Sequence, residues 1–508
     1  MLSPLLPPLA ASWLSYAAVC VLLQSPAIRV YDAGKLPYGN VVRSTAFALA
    51  PDWLMKAAPH SSVTAVAVLV YTLIAAAAFV SWCWAMRRAR RIELGSCAPL
   101  LLSTAVIAVP LLFVPGLLSD DVYLYDLYGR AISVYGANPV LVPPSAFVSD
   151  PHLPWVHWKE LPSAYGPIWL MFSADLSAAA DSLTAAVLLY RAAGAVLHLA
   201  VVALVWRVLR QTGCRAPLAG AIFYAWNPLV LLEAVANAHN DVLVALFAVL
   251  LVGAAIQGRW TRAACFAACA VMVKPFAVLL LPVLGRTIVL RTHGRTRIKQ
   301  FAAAAAVVAL TALAVSLPLW SGVQLVKNAI NNPAAHMYSN TLWELMSELG
   351  PRWFDVKTVA VQHPYLDALR GLCFAAGIVW VLTRRASRHD VPKVAVRLWL
   401  VFCLTACWVW PWYFVPALAL APLAGASQLP AAMGLTIGGL LFWTAWPERN
   451  VAPLEFLYSW RSLLLFGPLL LMWTSARARS AVFSALGMRS RVPAGGDDPL
   501  DVPLRTAA

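Results

Sequence analysis

Charged residues are scarce in this sequence. Only 12% of its 508 residues are Asp, Glu, Lys or Arg, whereas 61% are hydrophobic, and the mean hydropathy is +0.73. Soluble domains are roughly a quarter charged, so a water-soluble globule of this size is excluded. Disorder is excluded as well, because disordered chains are poor in hydrophobic residues. Apolar runs of about 18 residues or more recur along the chain and predict a polytopic membrane protein.

Several signature motifs are missing too. The sequence contains no P-loop, no Gly-x-Gly-x-x-Gly after a strand, no His-Glu-x-x-His and no Gly-x-Ser-x-Gly. These absences argue against a nucleotide-binding domain, and therefore against a nucleotide-sugar donor. The nine cysteines form no Cys-x-x-Cys pair and avoid the long polar loops, so neither a disulfide framework nor a zinc site is expected.

The few charges that are present are distributed unevenly. With the N-terminus placed in the cytosol, the turns between alternate spans and the C-terminal tail hold 24 of the 38 basic residues but only 5 of the 22 acidic ones. This is the positive-inside pattern of a plasma (inner) membrane protein with cytosolic N- and C-termini. It also explains the net charge of +16 without nucleic acid as a partner. The predicted spans are 5–25, 63–85, 97–118, 183–206, 217–236, 241–257, 263–274, 276–290, 300–320, 366–383, 394–411, 412–427, 430–446 and 457–474.

The predicted fold class is therefore an all-α polytopic membrane protein with about 12–14 transmembrane helices. The expected organisation is N-terminal transmembrane helices at 1–96, a core at 97–320 with an outer loop at 119–182, a second outer loop at 321–365, C-terminal transmembrane helices at 366–474 and a disordered cytosolic tail at 475–508. No soluble segment is large enough to form a domain of its own. Any chemistry is expected at the outer, periplasmic surface, where membrane lipids are also partners.

Polar residues concentrate where the third predicted span leaves the membrane. The segment reads Ser119-Asp120-Asp121-Val122-Tyr123-Leu124-Tyr125-Asp126-Leu127-Tyr128-Gly129-Arg130, followed by Gly136-Ala137-Asn138-Pro139. Adjacent carboxylates repel each other, so either one pKa is raised or a cation lies between them. A capping Asp followed by an interfacial aromatic belt is the alternative interpretation. The doubled Asp within an ordered polar series favours a functional site.

This series resembles the first outer loop of bacterial GT-C superfamily glycosyltransferases, in particular the polyprenol-phosphate-mannose-dependent mannosyltransferases. Their loop begins with Ser, one or two Asp and Tyr, and continues to Gly-Arg and Gly-x-Asn-Pro. The resemblance covers roughly residues 97–290 and departs at Val140, where an aromatic residue is usual, and at Ala238, where Gly is usual. It continues at Tyr165-Gly166-Pro167, Trp226-Asn227-Pro228, His239-Asn240-Asp241 and Lys274-Pro275.

The resemblance implies an inverting transfer of a hexose, mannose by preference, from polyprenyl phosphate to a glycan or glycolipid acceptor at the outer face. Asp121 is then the base, and Asp120 orients it or shares a metal with it. A divalent cation such as Mg or Mn is allowed but not required, and no other cofactor is expected. The candidates for donor or acceptor binding are Tyr125, Arg130, Asn138, Tyr165, His239, Asp241 and Lys274.

Each of the later motifs has an alternative interpretation. His239-Asn240-Asp241 could be a short polar turn, although Asn240 is also placed to cap the following helix. Lys274 could reach the interface from a kink instead of neutralising a phosphate. Glu233 is expected to pair with a neighbour. A transporter or lipid flippase is the rival class, but the two halves of the chain show no internal repeat.

Overall fold

The computed structural model describes residues 3–23, 60–114, 119–347, 364–384, 390–445 and 455–488. Within these ranges the chain is helical and forms no strand; a single isolated bridge joins Ser339 and Trp408. The predicted all-α class is confirmed. The α-helices are α1 Leu6–Leu23, α2 His60–Ala89, α3 Ala98–Leu112, α4 Asp121–Ser133, α5 Pro167–Ala178, α6 Leu183–Gln211, α7 Pro217–Ala225, α8 Pro228–Leu231, α9 Asp241–Ile256, α10 Trp260–Val271, α11 Leu280–Arg291, α12 Gly294–Ser316, α13 Gln324–Asn331, α14 Pro364–Thr383, α15 Val391–Thr405, α16 Val415–Leu420, α17 Leu429–Ala445, α18 Glu455–Ser459, α19 Arg461–Thr474 and α20 Ala476–Ala485.

Several of these helices are long and apolar enough to cross a membrane. Within the described ranges, four meet that standard, and the bent pair Pro217–Ala225 and Pro228–Ala236 makes a fifth if it counts as one span. Further helices are apolar but shorter than the roughly 20 residues of a complete span. The membrane character is therefore confirmed, while the number of 12–14 spans stays a prediction. The four long segments are Leu69–Ala89, Leu183–Gln211, Gly294–Leu319 and Pro364–Thr383.

The chain divides into two compact units. The first consists of Met1–Val122, Ala180–His239 and Leu429–Ala508. In this unit α17 lies very close to α19, because a Cβ at Gly438 would meet the carbonyl oxygen of Leu465 at 1.9 Å. Small residues allow such close approach of helices in membranes.

A buried arginine organises the other part of the first unit. Arg191 of α6 donates to the carbonyl oxygens of Leu112, Val114 and Ala236 at 3.1, 2.6 and 2.8 Å. It thereby links the end of α3 to the segment that follows α8. That segment, Leu232–Ala236, is a π-helical turn.

The second unit consists of Tyr123–Ala179 and Asn240–Gln428. The interruption predicted at Lys274-Pro275 is present: α10 ends at Val271, and a 3-10 turn, Pro275–Leu279, leads into α11. The backbone N–H of Gly166 donates to the carbonyl of Val273 at 3.0 Å. A Cβ at Gly166 would meet the Met272 carbonyl oxygen at 2.0 Å, so only glycine fits at this crossing.

The prediction of a disordered tail is wrong for the first part of that segment. Residues 476–485 form α20, whose N-terminus is capped by the Ser475 side chain accepting from the Ala478 N–H at 3.1 Å. Val482 and Phe483 are buried, so the helix is held by packing as well as by its cap. Residues 489–508 of that tail lie outside the described part of the chain, as do 348–363 of the second predicted outer loop.

Candidate active site

The doubled aspartate lies at the start of α4. Asp121 is the first helical residue, and its backbone N–H donates to Ser119 Oγ at 3.3 Å. Asp120 immediately precedes the helix, and both residues are partly exposed. The N-terminus of a helix favours negative charge, so ionised carboxylates are stabilised here. This places the predicted base where an acceptor hydroxyl could reach it.

His239 lies between two carboxylates of the first unit. Its Nδ1 is 3.6 Å from Asp121 Oδ2, and its Nε2 is 3.5 Å from Glu233 Oε2. The side chains of His239 and Glu233 are fully buried, whereas that of Asp121 is 17% exposed. Asp121 and His239 were predicted from two separate motifs, and their side chains are neighbours in the structure. We call Asp121, His239 and Glu233 the acidic cluster.

Glu233 has further partners, as expected from the sequence. Its Oε2 accepts from Asn237 Nδ2 at 2.9 Å, and its Oε1 accepts from Trp443 Nε1 at 2.5 Å. The backbone N–H of His239 also donates to the Glu233 carbonyl at 2.9 Å. Buried carboxylates are expensive unless they are hydrogen-bonded, and here both oxygens are. Sequence reasoning missed that Glu233 shares an imidazole with Asp121.

The second unit contains a different ionic group. Lys274 Nζ is 2.7 Å from Asp241 Oδ2, and both side chains are buried. The ammonium also lies over the rings of Tyr413, Phe276 and Tyr165, at 4.9, 5.2 and 5.8 Å from their centroids. Such cation–π contacts stabilise a desolvated cation. Three predicted residues from three motifs, Tyr165, Asp241 and Lys274, therefore meet here; we call this group the lysine cluster.

Polar atoms next to the lysine cluster lack protein partners. Asp241 Oδ1 and both amide atoms of Asn240 are buried and have no hydrogen-bond partner among the described residues. The expectation that Asn240 caps α9 is wrong, because its side chain accepts no hydrogen bond from the helix. Buried polar atoms are normally paired, so these atoms are suited to the hydroxyl groups of a bound ligand.

The remaining predicted residues organise the outer loop. Tyr125 is fully buried and packs edge-on against Tyr165 and Trp169, with centroids 5.3 and 5.0 Å away. Asn138 Oδ1 accepts from the Val140 N–H at 3.0 Å, and its Nδ2 is 3.5 Å from the carbonyl of Trp320. These contacts shape the loop and do not bring Asn138 to the lysine cluster.

Arg130 also stabilises the loop. Its Nε is 2.8 Å from Asp150 Oδ2, which also accepts from Tyr135 at 2.9 Å. Burial raises the pKa of Asp150, but hydrogen bonds from the His152 N–H, Arg130 and Tyr135 outweigh it, and the pKa is lowered. Arg130 is thus engaged by a carboxylate within the loop.

A second pair in the loop was not predicted. Asp126 of α4 lies 2.6 Å from His152 Nδ1 and accepts from Ser177 Oγ at 2.8 Å. These contacts tie α4 to α5 and to the intervening segment. The sequence gives no spacing signal for them, since His152 and Ser177 lie 26 and 51 residues away.

The fold and these clusters are those of an all-α, polytopic membrane protein whose buried ionisable groups lie near the ends of helices. The chain belongs to the alpha-(1->6)-mannopyranosyltransferase family, whose N-terminal domain model matches residues 27–290. The match includes Asp121, Glu233, His239, Asp241 and Lys274. It confirms the resemblance that the sequence motifs indicated.

Individual relatives carry the same name. A "probable alpha-(1->6)-mannopyranosyltransferase" of Mycolicibacterium smegmatis is 32% identical over 144 residues, 27% of this chain and 25% of the relative. An alpha-(1->6)-mannopyranosyltransferase of Mycobacterium tuberculosis is 31% identical over 144 residues, 27% of this chain and 24% of the relative. Alpha-(1->6)-mannopyranosyltransferase A of Corynebacterium glutamicum is 24% identical over 346 residues, 61% of this chain and 68% of the relative. The chain thus spans about a quarter of the length of the two mycobacterial relatives that it matches.

Proposed function

We propose that this protein is an inverting mannosyltransferase that uses a polyprenyl-phosphate donor and a glycan or glycolipid acceptor at the outer face of the plasma membrane. The observation that carries the proposal is the partly exposed Asp121 carboxylate at the start of α4, backed by the buried His239. Membership of the mannopyranosyltransferase family supports the choice of mannose.

The chemistry requires one base. Asp121 takes the proton of the acceptor hydroxyl while the acceptor oxygen forms a bond to C1 of the sugar. The bond between C1 and the phosphate oxygen breaks, and the phosphate leaves with the electron pair. A single displacement inverts the anomeric centre.

The lysine cluster is suited to the donor. A lysine ammonium has three N–H donors, and Asp241 occupies one of those of Lys274. The others are available to phosphate oxygens, which form strong charge-assisted hydrogen bonds. The buried, unpaired amide of Asn240 and the Oδ1 atom of Asp241 would bind sugar hydroxyls. The lack of nucleotide-binding motifs favours a lipid-linked donor.

A divalent cation at Asp120 and Asp121 stays a prediction. Among the described residues, no three or more His, Cys, Asp and Glu side chains are grouped so as to hold a metal ion.

Transfer from a purified donor tests the activity. The protein is reconstituted in vesicles with polyprenyl-phosphate mannose that carries the label in the sugar. We expect time-dependent appearance of label in an added oligomannoside acceptor, with release of polyprenyl phosphate. Translocation of intact labelled donor without sugar transfer would instead identify a lipid flippase.

Topology is tested separately. In a cysteine-free background, Asp121→Cys should react with a membrane-impermeant thiol reagent added to intact cells, because Asp121 is partly exposed and predicted to lie outside. Arg215→Cys, in a predicted cytosolic turn, is the matched control and should react only after lysis. The reverse labelling pattern would overturn the orientation.

A further inference from the structure

The proposed chemistry leaves the fully buried Glu233 without a role. Glu233 lies in the π-helical turn Leu232–Ala236 and is separated from Asp121 by a single imidazole. The contacts of His239 are at ion-pair distance, 3.5 Å to Glu233 and 3.6 Å to Asp121. Catalytic contacts are often this long before substrate binds, and they shorten in the complex.

The orientation of Glu233 is fixed from several sides. Trp443 and Asn237 donate to its two oxygens, and both donors are neutral. Glu233 also lies within ion-pair distance of His239, with 3.5 Å between Oε2 and Nε2. Carboxylates facing both nitrogens of an imidazole favour the imidazolium form, because each negative charge stabilises the cation.

The backbone around His239 is unusual. Ala238 has a φ of 55°, in the left-handed region that an alanine adopts only at a cost of about 1–2 kcal/mol. The preceding π-helical turn is held by Arg191, which donates to the Ala236 carbonyl at 2.8 Å. π-helical turns and strained residues concentrate at functional sites. Here both features aim the His239 ring between the two carboxylates.

We propose that Glu233 is a positioning residue for the base, acting through His239. Glu233 keeps His239 as an imidazolium, and His239 holds the Asp121 carboxylate in the orientation that receives the proton of the acceptor hydroxyl. Once Asp121 is protonated, Glu233 still balances the charge of His239, so the proton on the imidazole stays in place. This assignment rests on the proposed function and adds Glu233 to its machinery.

Steady-state kinetics with polyprenyl-phosphate mannose and the oligomannoside acceptor test the role. Glu233→Gln preserves size but removes the charge. It should lower kcat about tenfold or more, as expected when a charge-assisted contact is lost, with KM for donor and acceptor changed less than about twofold. His239→Gln should lower kcat further. The double variant should equal His239→Gln alone, because Glu233 acts through the imidazole.

Two further variants separate positioning from folding. Trp443→Phe keeps an aromatic ring but removes the N–H that donates to Glu233, so it should lower kcat a few-fold even if Glu233→Gln does not fold. Glu344→Gln is the matched control, because Glu344 is also a buried carboxylate and accepts from the Asn340 N–H at 2.6 Å. It should leave kcat unchanged.

A readout that does not depend on turnover completes the test. In protein with ¹⁵N-labelled histidine, the His239 signals, assigned by their loss in His239→Gln, should be those of an imidazolium in the wild type and of a neutral ring in Glu233→Gln. If the wild type has no transferase activity but its His239 signals change in Glu233→Gln as described, the proposed function is wrong. The pairing of Glu233 with His239 then still stands. The inference would be overturned if Glu233→Gln had the kcat of the wild type, or if its His239 signals were the same as those of the wild type.

Discussion

Buried charge is stabilised differently in the acidic cluster and in the lysine cluster. In the first, one imidazole is shared between two carboxylates, and one end of the group is 17% exposed. In the second, a single cation and a single anion meet at 2.7 Å, surrounded by aromatic rings. We expect the first group to accept a proton at its exposed end, because a second carboxylate balances the charge of the histidine. In the second, the charges of Lys274 and Asp241 balance each other, and the group is suited to binding a ligand whose charge does not change.

The largest effect is expected at the exposed end of the acidic cluster. Asp121→Asn keeps size and most hydrogen bonds but removes the basic lone pair. It should reduce turnover by about 10²-fold or more, the usual contribution of a positioned base, while folding normally. Turnover of the purified variant with polyprenyl-phosphate mannose measures this effect.

Asp120→Asn is the natural control for that variant, because neighbouring helical residues point about 100° apart. It should be milder. Near-normal turnover by Asp121→Asn would remove Asp121 as the base and leave Asp120 or Asp241 as the candidates. Loss of activity in both variants, together with inhibition of the wild type by a chelator, would show that the pair holds a metal.

The next effect concerns the lysine cluster. Lys274→Ala should lower donor use by roughly 10–150-fold, corresponding to a lost charge-assisted contact of about 1.5–3 kcal/mol, and Lys274→Arg should lower it less. The alanine variant also leaves Asp241 as a buried, unpaired charge, which is strongly destabilising, by about 3–5 kcal/mol.

The double variant Lys274→Ala/Asp241→Asn separates these two losses. It should recover much of the thermal stability in detergent but not the donor use. Recovery of both would show that Lys274 serves folding alone and would remove it from the donor site.

A smaller effect is expected from the strained backbone beside His239. Ala238→Gly should raise the free energy of unfolding by up to about 1 kcal/mol, because glycine adopts a positive φ without steric strain. Thermal unfolding in detergent measures the change. Ala245→Gly in α9, where the alanine is helical and buried, should be destabilising. A loss of stability in both variants would show that Ala238 is not strained.

The smallest effect concerns acid stability of the outer loop. Because the pKa of Asp150 is lowered in the folded state, its contribution is present above its unfolded pKa and is lost as pH falls through the folded value. The contribution is at most about 1 kcal/mol, because Arg130 is partly exposed. Asp150→Asn should therefore lower stability at neutral pH and converge with the wild type at acid pH, below the folded-state pKa of Asp150. Equal offsets at both pH values would contradict this.

The lysine cluster shows what sequence could predict. The apolar runs predicted the helical segments, and the break at Lys274-Pro275 follows from a proline between two short apolar halves. Tyr165, Asp241 and Lys274 were each proposed from a motif and proved to be neighbours. The resemblance to the glycosyltransferase motifs carried the prediction of Tyr165 and most of that of Asp241. For Asp241 and Lys274 it was supported by the rarity of ionisable groups in apolar segments.

The acidic cluster shows what the sequence could not predict. Glu233 and Trp443 are 210 residues apart, and no periodicity connects them. Arg130 was proposed to bind a ligand, but its partner Asp150 lies in irregular chain that has no repeat to place it. The doubled Asp was recognisable, yet its link to His239 depends on a π-helical turn and a positive φ that residue patterns do not reveal.

Arg191 has a consequence for how the protein is made. It lies eight residues inside the predicted span α6, and a charged residue in the middle of a span opposes insertion by about 2.5–3.5 kcal/mol. Two of its carbonyl partners, Leu112 and Val114, are synthesised before it, but the third, Ala236, emerges from the ribosome 45 residues later. We therefore expect α6 to enter the bilayer with its guanidinium only partly satisfied, and to be secured when the π-helical turn arrives. Biogenesis of the site is then expected to depend on the order in which its helices leave the translocon.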